Sequence, residues 1–188
     1  EGEARFHGTV ADYAATIFGL ITLYESDFDP KWFTWATELQ KIQDDLFWDS
    51  QGGNYFYTES GEKNLIVRKK ETYDGALPSA NSLAALNLLK LHSLTYDESY
   101  QKKALTLFES VADQVNKYPT GYTQLLIALD YSLDDPKEVA IVGEKDDPQT
   151  QAILRALHET FLPNQSIASG PEGSERPPLL KGKIKQGG

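Results

Sequence analysis

Apolar residues return at positions 10, 13, 14, 17, 20, 21 and 24, the spacing of one face of an α-helix. Ala15, Phe18, Gly19 and Leu23 fill the opposite face. The stretch Val10–Glu25 therefore predicts a helix that is apolar, and so buried, on nearly all sides. A second helix begins at Asp29-Pro30, with Asp29 as N-cap and Pro30 in the first turn. Its apolar stripe is Trp32, Trp35, Ala36, Leu39, Ile42 and Leu46, and Lys31, Glu38, Gln40, Lys41, Asp44 and Asp45 make a wet face. The core is the expected place for Trp32 and Trp35. Ser79–Leu94 repeats the dry pattern, with Leu83 to Leu86, Leu88, Leu89 and Leu91 leaving almost no polar side. Thr95 or Asp97 caps a second two-faced helix that runs to about Asn116, with Ala104, Leu107, Phe108 and Val111 on its stripe. Gly121–Leu133 is the third dry helix.

Dry and two-faced helices thus alternate. In a four-helix bundle every helix keeps one wet side. Alternation predicts two layers instead, with the dry helices inside and the two-faced ones wrapped around them as stacked hairpins. The fold class expected is mainly α: a partial (α/α) toroid of helical hairpins. Two and a half hairpins are present, so the chain forms half a ring or an open arc. Half a ring leaves dry helices with bare flanks, which predicts self-association, association with a partner, or marginal stability.

Between the second and third helices lies a β-hairpin insert. Asn54–Thr58 and Leu65–Arg68 read as its strands and Glu59–Glu62 as its turn. It is expected over one mouth of the arc. After Asp134-Asp135-Pro136 the pattern changes. Val139–Gly143 reads as a strand, Asp147-Pro148 starts a helix that Pro163 stops, and Gln165–Ala168 is a second strand. This is a small β-α-β unit, expected to be parallel. The resulting division is 1–134 helical hairpins, 135–169 β-α-β appendage and 170–188 extended tail.

Composition narrows the chemistry. Lys and Arg number 18 against 28 Asp and Glu, a formal charge of −10 that disfavours a nucleic-acid partner. There is no Cys, so neither a disulfide nor thiol chemistry resides here. No apolar run is long enough to span a membrane, so no membrane partner is expected. His7, His92 and His158 lie too far apart for a metal motif, and no metal or other cofactor is expected. Glu144-Lys-Asp-Asp147 follows the first appendage strand without a glycine-rich phosphate loop, so nucleotide binding is not supported. The chain opens on Glu1 and contains no Met, which reads as a piece of a longer protein. The expected location is cytoplasmic.

The densest polar cluster runs from Glu71 through Asp74-Gly75 and Pro78-Ser79 to Asn81-Ser82, into the start of a dry helix. Polar side chains in an apolar layer need partners or a polar cavity. Asp12-Tyr13 and Tyr122–Gln124 open the other two dry helices. If the hairpins run in one sense, these ends converge on one mouth. Asp12 and Asp74 are then candidate catalytic acid and base, and Tyr13, Glu71, Asn81, Ser82, Tyr122 and Gln124 candidate substrate-binding groups. Each also has a structural reading. Asp12 favours a first helical turn, Asp74-Gly75 is a turn, and Ser79 is an N-cap.

The segments "ADYAATIFGLITLYE", "WDSQGGNYFYT", "VRKKETYDGALPSANSLAALNLLKL" and "EVAIVGEKDDPQT", followed by "FLPN", resemble the C-terminal half of the spermatogenesis-associated, thioredoxin-domain-containing proteins. The resemblance implies a six-hairpin toroid like that of glycosidases and N-acylglucosamine 2-epimerases. It also implies a missing N-terminal half of the ring, a thioredoxin-like domain upstream, and a carbohydrate as candidate ligand. Asp12 and Asp74 are the carboxylate pair to test for glycosidase chemistry, with Glu71 in reserve. The alternative is a non-catalytic ligand-binding or interaction module attached to that redox-type domain.

Overall fold

The computed structural model describes residues 7–61 and 66–185. The dry and two-faced helices form where the pattern puts them. They are α1 (Val10–Asp27), α2 (Pro30–Phe47), α3 (Ala80–Thr95), α4 (Glu98–Lys117) and α5 (Thr123–Leu133). Asp29 and Asp97 accept hydrogen bonds from the first-turn N–H groups of Lys31 and Ser99, at 3.0 and 2.9 Å, and so start the two outer helices. α1 packs on α2 and α3, and α3 in turn packs on α4 and α5. The layers follow: α1, α3 and α5 side by side, with α2 and α4 behind them.

Only α3 is dry all round, with 12 of its 16 residues buried. α1 and α5 each have one bare flank. Phe18 and Leu23 on α1, and Ile127 and Leu133 on α5, are exposed. These two helices are the ends of the inner row and have an inner neighbour on one side only. The buried stripe of α2 also differs from expectation. It is Phe33, Ala36, Gln40, Gln43 and Phe47, while Trp35 and Ile42 face out. The predicted stripe lies a fraction of a turn away from it, because apolar residues occupy both tracks. The buried track carries a partly buried polar network that periodicity does not register. Gln40 Nε2 donates to Asp44 Oδ1 at 2.9 Å, Tyr55 OH donates to the same oxygen at 2.5 Å, and Lys103 of α4 holds Asp44 Oδ2 at 2.6 Å. Burial, then the Asp44 charge, pushes the Tyr55 phenol well above its ordinary range.

The insert differs in register. Asn54-Tyr55 (β2) pairs antiparallel with Trp48-Asp49 (β1), directly after α2. The expected partner strand does not form: Ile66 and Val67 are exposed bends, and Leu65, with Glu62 of the expected turn, lies outside the described residues. Gly53, at φ +73°, lets the chain reverse at once, and its N–H donates to Asp49 O at 2.9 Å. The hairpin turn is therefore residues 50–53, closed by the Gly52-Gly53 pair.

The appendage has the expected form: β3 (Lys137–Val142) and β4 (Gln165–Gly170) are parallel, with α6 (Pro148–Glu159) between them in the chain. β4 is the buried strand and lies on α3. The segment after Gly170, expected to be an extended tail, turns back. Leu179 and Leu180, in a short 3-10 turn, are 2% exposed and enter the core with Ile17, Ile21 and Leu91. Two apolar residues among Pro and Lys are too few to register as a pattern, yet they fill a gap under α3.

Leu91→Ala, at a site with no solvent exposure, is expected to cost about 3 kcal/mol in urea unfolding, whereas Leu133→Ala on the bare flank of α5 should change stability by less than about 0.5 kcal/mol.

Candidate functional site

Three contacts bring the N-termini of the inner helices to one end of the layer. The N–H of Val10 at the start of α1 donates to Tyr57 O of the insert at 3.2 Å. Asn81, in the first turn of α3, clamps the insert at Tyr55. Its Oδ1 accepts from Tyr55 N at 2.8 Å, and its Nδ2 donates to Tyr55 O at 3.1 Å and to Glu71 O at 2.8 Å. An amide side chain thus stands in for a neighbouring strand, and all its bonds go to protein. Asp74 then joins α3 to α5. Its Oδ1 accepts from Ser79 N at 2.8 Å, and its Oδ2 accepts from Gln124 N and Leu125 N at 2.9 and 3.2 Å. The N-cap position of α5 is Tyr122, which makes no side-chain cap, so a carboxylate 50 residues upstream does that work.

Glu71, Asp74, Asn81, Ser82 and Gln124 therefore come together, in roles set largely by the backbone, while Asp12 and Tyr13 keep to the start of α1. Asp74 is buried and engaged by three N–H donors. Asp12 is exposed, and its Oδ2 accepts from Thr9 N at 2.7 Å and Thr9 Oγ1 at 2.8 Å. These bonds from Thr9 hold the Asp12 carboxyl below its ordinary range. No hydrogen bond among the described residues links Asp12 to Asp74. Ser82 is buried, with its Oγ 2.8 Å from Ser79 Oγ. Glu71 is exposed and pairs with Lys69 at 2.8 Å. Tyr13 packs on Phe47 with ring centroids 5.4 Å apart. Gln124 meets Asp74 through its backbone. His7 reaches Glu59 at 3.4 Å at the same end. Among the described residues no group of three or more His, Cys, Asp and Glu is placed to hold a metal ion.

This end also carries a tyrosine cluster, of which the sequence pattern points to Tyr122 alone. Tyr73 and Tyr118 stack at 6.3 Å with rings 3° from parallel, and Tyr122 meets Tyr73 edge-on at 6.1 Å. The first two are more than half exposed. Both rings lie on Gly121, where an added Cβ would come within 2.4 Å of Tyr73 and 2.8 Å of Tyr118. Glycine is what allows that approach. Tyr73 lies 45 residues before Tyr118, so the pair carries no local signal; the Asp74 bridge brings them together. Chemically, this end offers aromatic faces and phenol groups to solvent, while both of its carboxylate candidates are committed to helix starts.

Fold and site together define a class: a two-layered array of helical hairpins with a small β-α-β cap and an aromatic end at the inner-helix N-termini. The chain resembles spermatogenesis-associated protein 20. It is 38% identical to the protein of that name from Rattus norvegicus and 36% identical to that from Homo sapiens, in each case over 161 residues, 85% of the chain. An uncharacterised protein of Caenorhabditis elegans is 30% identical over 167 residues, 89% of the chain. The chain spans only about a fifth of the length of the relatives it matches, 20% for the mammalian proteins and 23% for the worm protein. No family model matches it.

Asp74→Ala removes acceptors from three buried or half-buried N–H groups and should cost about 2–3 kcal/mol in urea unfolding. Asp12→Ala should cost about 0.5–1 kcal/mol. Because the folded Asp12 carboxyl titrates below its ordinary 3.8, its contribution is full above that pH and fades as pH falls through the folded value. The stability difference between the parent and Asp12→Asn should therefore shrink from pH 6 to about pH 2, read by thermal unfolding across that range.

Proposed function

We propose that this chain is a non-catalytic ligand-binding or interaction module, one section of the wall of a larger helical-hairpin ring, with its binding surface at the N-terminal ends of α1, α3 and α5. The observation that carries the reading is the state of the two carboxylates. Asp74 is consumed by the N–H groups of Ser79, Gln124 and Leu125, and Asp12 is tied through Oδ2 to Thr9 at the start of α1. A glycosidase needs one carboxyl group free to give a proton and a second free to attack or to activate water. Asp74 is not free here, and the bonds from Thr9 that lower the Asp12 carboxyl make it a poor proton donor. The exposed Tyr73–Tyr118 stack supports binding: it is a rigid apolar face with hydroxyls at its edge. A carbohydrate is one ligand that suits such a face. The carbohydrate-active reading keeps this surface but lacks its acid and base among these residues.

The bare flanks of α1 and α5 support the other half of the proposal. Phe18, Leu23, Ile127 and Leu133 are where further helices of the longer protein would pack. Any thiol chemistry belongs to a thioredoxin-like neighbour of the kind the resemblance implies, since these residues contain no Cys.

The test uses the full-length protein and a panel of mono- and disaccharides, read by shifts of the tyrosine ring resonances. Tyr73→Ala should abolish the binding of any saccharide that shifts those resonances, with the melting temperature within about 2 °C of the parent. Asp12→Asn should leave binding intact. Turnover of a saccharide that Asp74→Asn abolishes without any change in melting temperature would overturn the proposal.

A further inference from the structure

The appendage carries a second surface that the proposed function does not use. β3 pairs with β4 along one edge only. The register places Lys137 opposite Gln165 and Val142 opposite Gly170, with Lys137 N donating to Asn164 O at 2.8 Å and Gly143 N donating to Gly170 O at 3.0 Å. In a parallel ladder alternate residues turn both backbone groups to the same neighbour. Residues 137, 139, 141 and 143 therefore face β4, while Glu138, Ala140 and Val142 direct their N–H and C=O groups to the open side. Among the described residues none of these three N–H groups has a partner.

This open edge is the floor of a groove of about 630 Å³. One wall is the first turns of α6, with Thr150 and Ile153, and the other is the returning chain, with Gly182 and Ile184. Ile153 and Ile184 are 50% and 67% exposed, so both walls present apolar side chains to solvent. Lys185 Nζ binds Asp147 Oδ2 at 2.9 Å and fastens the second wall to the start of α6. The groove thus combines unpaired strand hydrogen-bonding groups with apolar flanks, as in recognition by strand addition. A two-stranded sheet with a long open edge is also marginal by itself.

We infer that this groove accepts one further extended strand, supplied by the same polypeptide from outside these 188 residues and hydrogen-bonded to Ala140 and Val142. Two observations select that source. The relatives are about four times as long as this chain, so much polypeptide is available to fill the groove. The chain itself already lines the groove through Gly182–Lys185, so a strand of the same polypeptide fills it within one molecule, without the association of two. A second copy fits poorly. Its own β3 is recessed between its own walls, and a net charge of −10 on each copy opposes the approach.

Amide hydrogen exchange tests this in the 188-residue chain and in the full-length protein. The Val139 and Ile141 amides, bonded to β4, should be protected in both. The Ala140 and Val142 amides should exchange rapidly in the 188-residue chain and at least ~100-fold more slowly in the full-length protein. Ala140→Pro should lower the melting temperature of the full-length protein more than that of the 188-residue chain, because proline is tolerated where an edge N–H has no partner. Equal, rapid exchange of Ala140 and Val142 in both proteins would overturn the inference. So would protection in the 188-residue chain that rises with concentration as it dimerises.

Discussion

Burial of α3 on every side is the constraint from which the other features follow. A helix surrounded by protein cannot leave polar side chains to water, so each one must find a partner on a neighbour. Four of the buried residues of α3 are polar, and three of them reach a different element. Asn81 clamps the β insert, Asn87 Nδ2 donates to Ala14 O of α1 at 2.9 Å, and Ser93 Oγ lies 3.0 Å from Tyr131 OH of α5. Ser82 closes onto the turn that starts the helix. The apolar residues of α3 make it central, and its few polar residues determine what surrounds it and in which register.

The two ends of the inner layer are finished by different means. At the N-terminal end, Asp74 and Asn81 hold loop and insert against the helix starts through backbone bonds, leaving tyrosines on the outside. At the C-terminal end, the pair Lys90–Glu25, with contacts of 2.7 and 3.0 Å, joins α3 to α1, and Lys90 Nζ also donates to Gln165 O at 3.2 Å, at the start of β4. Tyr131 OH completes the join, 2.9 Å from Ser166 Oγ. The β-α-β unit therefore caps one end of the layer while the aromatic end stays open. The open end and the open edge of β3 are built from different elements, and the two surfaces can act independently.

Much of the site was legible in the residues, though not its chemistry. Asp12, Asp74, Asn81, Ser82, Tyr122 and Gln124 were singled out because polar groups at the mouth of an apolar layer need an explanation, and all of them lie at the same end of that layer. Sequence does not distinguish a carboxylate that faces a substrate from one that faces a helix N-terminus, since both sit near helix starts. The stacked Tyr73–Tyr118 pair was out of reach for another reason. Its proximity comes from the Asp74 bridge and from the absent side chain of Gly121, and neither leaves a periodic trace.

What the amino-acid sequence by itself determined was the alternation of dry and two-faced helices, their caps, the parallel β-α-β unit and the polar helix mouths. Each is a local matter of spacing, side-chain polarity and the few residues that start a helix. The tertiary structure alone decided which of two apolar tracks α2 buries, which segment pairs with β2, where Leu179 and Leu180 lie, and that the outer helices leave α1 and α5 half bare. Those outcomes depend on the neighbour present at each face, through burial and hydrogen bonds between residues tens of positions apart, and no local pattern encodes that neighbour.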